Sequence, residues 1–261
     1  MEVMKRITHR QRVAVVVSVT IAGIVAAFLC PPIPQDSSYN HFADVRAWAH
    51  ISNFADVVSN VPFFFVGAAG ILFIWRLGKS LERSAAWLAF FAGVLLTAFG
   101  SSYYHLAPDN HRLIWDRLPM TIAFMSLFAA VVGERINLRA GDVLLPLCLA
   151  LGVGSVLYWK ITENAGHGDL RPYGLVQFLP MLLIPLILVL FPARHKGTKY
   201  MIYSFAFYVA AKIFEYFDAA VMHLTHHAVS GHTIKHLLAA AGAGCLIGYV
   251  RRLQECYKSA H

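Results

Sequence analysis

With 261 residues, 58% of them hydrophobic and only 14% charged, the chain is too apolar for a water-soluble globular domain, where roughly 25% of residues carry charge. Its mean hydropathy of +0.57 agrees. The net charge of +8 is no sign of nucleic-acid binding, because the basic residues gather in alternate connections between apolar runs.

Eight runs are long enough to cross a bilayer as helices: 13–30, 54–75, 85–105, 114–133, 143–159, 173–192, 200–222 and 233–250. The first follows the basic stretch MEVMKRITHRQR, but its length and the poor small-x-small site in FLCPPIP favour a retained helix over a cleaved signal peptide. The reading is an all-α polytopic membrane protein, with an N-terminal transmembrane helix over 1–30 and a seven-helix core over 31–261. Cys30, Cys148, Cys245 and Cys256 are scattered without a CxxC pair, so neither a disulfide nor a cysteine metal site is expected.

Lys5, Arg6, Arg10 and Arg12 precede the first run, and Arg76, Lys79 and Arg83 follow the second. Arg135 and Arg139, then Arg194, Lys196 and Lys199, then Arg251, Arg252 and Lys258 fall in every second connection after that. With eight spans, all of these lie on one side, which the positive-inside rule makes cytoplasmic together with both termini. The short loops suit a bacterial inner-membrane protein.

Polar residues inside apolar segments carry the functional reading, because they are expensive in lipid. Ser101 and His105 sit at i and i+4 near the end of the third run, Asp116 opens the fourth, and His232 and His236 open the last at i and i+4. The topology brings all five to one depth on the non-cytoplasmic side. Three imidazoles and a water make an open tetrahedral zinc site. The segment HTIKH lacks the Glu of HExxH, so the general base falls to Asp116, with Ser101 to bond the attacking water or the oxyanion. Haem is disfavoured, since no histidine pair stands at the cytoplasmic side.

The order GSSYYH, then the Asp of DRLPM, then a terminal HxxxH resembles the alkaline ceramidase family, within the membrane hydrolases that include adiponectin receptors. ISNFADVVSNVPFFFVG is similar to the start of the first core helix of that family, and the resemblance spans roughly 39–250. It implies zinc on His105, His232 and His236, Asp116 and Ser101 as catalytic groups, and hydrolysis of a ceramide-like lipid amide drawn from the bilayer. Those relatives also carry an acidic calcium site before the first core helix. Here Asn53 replaces one acid, and Arg46 stands among Asp44 and Asp56, so an Asp44–Arg46 or Asp56–Arg46 pair takes the cation's place and calcium is disfavoured.

Lys212, Glu215 and Asp218 fall at i, i+3 and i+6 within a span and must face the bundle interior. A Lys–Glu pair with a polar lining is the expectation, and a substrate headgroup site the functional alternative. His223, His226 and His227 read as loop residues outside the metal site. A receptor-like protein with a structural metal is the competing function. The sequence leaves the oligomeric state open.

Overall fold

The computed structural model describes residues 7–77, 84–193 and 196–258, and it is helical throughout its spans. The basic residues Lys5, Arg6, Lys79, Arg83 and Arg194 lie outside the described residues. Among the described residues, seven helical segments are long and apolar enough to cross a membrane. The all-α polytopic fold expected from the hydropathy pattern is therefore the fold observed.

Helix α1 (His9–Leu29) begins in a capping box, with Thr8 bonding the Gln11 backbone and the Gln11 side chain bonding Thr8 in return. It packs along α7 (Arg171–Leu190) and leaves most of its apolar surface outward. Only 6% of its apolar window is buried, against 67% for α5 (Leu113–Arg135), which is the central helix. A helix so apolar and so little covered by protein is one whose solvent is lipid.

The first core span is broken into α2 (Phe54–Val58) and α3 (Val61–Leu77). Helices α4 (Ser84–Leu106) and α5 pack most tightly at Gly100, where a Cβ would strike the Trp115 carbonyl. That approach sets Ser101 of α4 against the first turn of α5. Helix α6 (Leu138–Asn164) flanks α5 and α7.

One expected span differs. The apolar run predicts one continuous helix over 200–222, but the helix breaks at Phe217 into α8 (Thr198–Tyr216) and α9 (Asp218–Leu224). At 19 residues α8 still measures about 28 Å, near the bilayer core thickness. Its Lys199, Lys212 and Glu215 keep it out of the apolar class. Helix α10 (Gly231–Lys258) follows, and α8 packs chiefly on it. The main apolar core, with Trp87, Phe91, Val131, Ile187, Leu246 and Tyr249 fully buried, fills the bundle away from the histidines.

Candidate metal centre

His105 ends α4, while His232 and His236 open α10 one turn apart. All three are buried, and one potential ligand atom from each lies within 4.8 Å of the others. His105 Nε2 and His232 Nε2 are 3.3 Å apart. The expected convergence of these residues is thus observed, and the group can hold a metal ion.

Hydrogen bonding fixes one ring. The Ser59 hydroxyl gives its proton to the Asp56 carbonyl at 3.0 Å, so at 2.8 Å from His236 it must accept from Nδ1–H. That leaves the His236 Nε2 lone pair facing the cluster, buried and without a hydrogen-bond partner among the described residues. His232 is placed by its backbone: its N–H donates to Asp218 Oδ1 at 2.8 Å, and Asp218 Oδ2 accepts from Ala43 N–H at 2.9 Å. Asp218 therefore satisfies an orphan donor at the start of α10 and ties it to the N-terminal segment. Asp218 is the first residue of α9, immediately after the break at Phe217.

Above the rings, Phe42 stacks edge-on against His105 and His232, with centroids 4.7 and 4.5 Å away. Asn40 holds this segment down by accepting from Tyr104 Oη and donating to Asn110. Asn53, in the left-handed region at φ 48° that asparagine tolerates, donates from its side chain to the His105 carbonyl at 2.8 Å.

Asp116, Ser101 and His236 open together onto a cavity of about 230 Å³, with Tyr39, Glu215 and Lys235 at the same polar end. The Ser101 hydroxyl interacts with the Asp116 carboxyl. Asp116 is not the partner of a neighbouring arginine. Arg112 pairs with Asp109, and Arg117 turns away to Gln35 Oε1 at 2.6 Å and the faces of Trp159 and Tyr173.

The residues considered for calcium do not converge. Arg46 engages both oxygens of Asp44, at 2.8 and 2.6 Å, and reaches the carbonyls of His227 and Ala228. The guanidinium holds the Asp44 carboxyl below its ordinary range. Asp56 instead accepts from Thr233 Oγ1 at 2.8 Å, joining α2 to α10. Of the two pairings expected for Arg46, the one with Asp44 forms. His223, His226 and His227 are exposed and outside the metal group, but only His226 and His227 lie in a loop, His223 falling in the last turn of α9.

The largest residue missed by the sequence reading is Lys235. Glu215 bonds Lys212 as expected, yet it also takes Lys235 of α10 at 2.9 Å. Lys235 Nζ lies 3.4 Å from His232 Nε2. The signal was present: a lysine inside an apolar span, at i+3 from one histidine. No family model matches the chain, and no curated protein matches it.

Proposed function

We propose that the protein is a zinc-dependent hydrolase of lipid amides, of the kind its motifs resemble in the alkaline ceramidases. The observation that carries this reading is the meeting of a three-imidazole group with a buried carboxylate at the head of an apolar cavity. Two imidazole nitrogens bound to one tetrahedral zinc at about 2.0–2.1 Å lie roughly 3.3 Å apart, the separation of His105 Nε2 and His232 Nε2. His236 offers the third lone pair in the tautomer Ser59 imposes. All three donors are nitrogen, which suits zinc and not calcium. Zinc bound there would supply a Lewis acid and a water acidified toward neutrality.

In this reading Asp116, which shares the cavity wall with His236, takes a proton from the attacking water and returns it to the leaving amine. Ser101, interacting with Asp116, orients that water or donates to the developing oxyanion. Most of the remaining cavity wall, including Phe63, Met181, Ile184, Leu188 and Leu246, is apolar and suits an acyl chain. Helices α7 and α8 both line it but touch one another only sparsely, which supports lateral entry from the bilayer.

The basic connections support cytoplasmic termini and a site on the opposite face. Once the native cysteines are removed, a cysteine placed at exposed Ala107 would then react with an impermeant thiol reagent in intact cells. Labelling only after lysis would reverse the topology. The hydrolase reading is tested by incubating zinc-loaded protein with lipid amides and detecting released fatty acid by mass spectrometry. Fatty acid release by wild type and none by Asp116→Asn at equal zinc content is the expected result. A zinc-bound wild type that cleaves no amide would refute it.

A further inference from the structure

Two lysines and two carboxylates line the polar end of the cavity. Lys235 of α10 and Lys212 of α8 share a single carboxylate, Glu215. Asp116 is the other acid on the cavity wall. Arg117 adds a further buried cation beside it, held by Gln35 and aromatic faces and not by an acid. On the wall itself two ammonium groups thus stand with two carboxylates, and a metal on the histidines would tip the balance to positive.

The hydrogen-bond inventory points the same way. An ammonium has three donors, and for Lys235 the structure supplies Glu215 Oε1 at 2.9 Å and His232 Nε2 at 3.4 Å. Once a metal claims the His232 lone pair, only the carboxylate remains, and the side chain is 15% exposed. A buried cation lacking acceptors is costly, so the cavity favours an occupant that brings them. A neutral lipid amide brings one carbonyl oxygen. A carboxylate brings two oxygens and a compensating charge.

We propose that Lys235 and Lys212 form a subsite for a carboxylate on the amine portion of the substrate. The lipid amides this cavity takes are then acidic, of the N-acyl amino acid class. Lys212 also reaches over the Phe178 ring of α7, bridging the α7–α8 gap by which a lipid would arrive. The amide part of this assignment rests on the hydrolase reading; the anion subsite rests on the lysines.

Binding to the full-length zinc-loaded protein, in the cold and within an incubation short enough that no fatty acid is released, separates the two. An N-acylglycine and an N-acylethanolamine of one chain length are compared by thermophoresis. The acidic ligand should bind about tenfold tighter or more, the worth of one charge-assisted hydrogen bond. Lys212→Met, which keeps the Lys235–Glu215 pair, should shrink that preference, and the charge-balanced pair Lys235→Met with Glu215→Gln should abolish it. Equal affinities in wild type, or a preference surviving in both variants, would overturn the subsite. If the preference stands and zinc-loaded protein cleaves neither amide, the subsite is upheld and the hydrolase reading fails alone.

Discussion

The two ends of α5 bury polar groups in opposite ways. At its C-terminal end every guanidinium nitrogen of Arg135 has an acceptor: Glu134 at 3.1 Å, the Phe191 carbonyl at 3.2 Å, Thr198 at 3.1 Å and Tyr249 at 3.0 Å. At its N-terminal end, about 28 Å away, Asp116 shares a cavity wall with His236, whose Nε2 is buried without a hydrogen-bond partner among the described residues. A satisfied network pins helices together, whereas an unsatisfied one in an apolar interior persists because a ligand completes it. The first end holds the bundle, and the second is built for an occupant.

If that contrast is right, each end fails differently when cut. The largest effect is expected for Asp116→Asn, which keeps zinc but loses about 10³-fold or more in hydrolysis, since the amide cannot accept a proton. Ser101→Ala, removing one orienting hydroxyl, should lose about 10²-fold in the same assay. Wild-type turnover in Asp116→Asn would make the carboxylate structural. At the other end, Arg135→Met should cost about 3–5 kcal/mol of stability by stranding buried partners, with zinc content unchanged. Thermal unfolding with metal analysis checks this, and a variant as stable as wild type would deny the pin.

Ser59→Ala sharpens the comparison within the site. Freeing the His236 Nδ1–H should weaken zinc about 10–100-fold without emptying the site at saturating metal. Unchanged affinity in a chelator competition would show that Ser59 does not set the tautomer.

The smallest effect concerns Asp44 and Arg46. A carboxyl held below its ordinary 3.8 contributes stability above that value and loses it as pH falls through the lower folded pKa. Wild type should therefore keep this contribution to about pH 4, while Arg46→Gln should be less stable at neutral pH and flatter in acid. Superimposable melting profiles against pH would remove the pair from the account.

The spans and the histidine group were legible because lipid leaves few options. Each apolar run must be a helix, and polar residues at alternate helix ends must share a depth, so Ser101, His105, Asp116, His232 and His236 could be gathered from spacing alone. What spacing within one helix cannot give is a partner on another. Lys212 and Glu215 were visible as neighbours on α8, but Lys235 reaches Glu215 across from α10. Asp218 was grouped with them by its periodicity. It instead begins α9 and accepts from two backbone N–H groups, of Ala43 and His232. The Ser59–His236 bond depends on the break after α2, which a continuous apolar run conceals.

The central claim is that His105, His232 and His236 together hold zinc. Metal analysis of purified protein, with X-ray absorption at the zinc edge, tests it most directly. The account predicts about one zinc per chain with three imidazole nitrogens at about 2.0–2.1 Å and a fourth light atom. It further predicts loss of most of the metal in both His105→Ala and His236→Ala. Sulfur in the coordination shell, or full zinc retention in both variants, would contradict it.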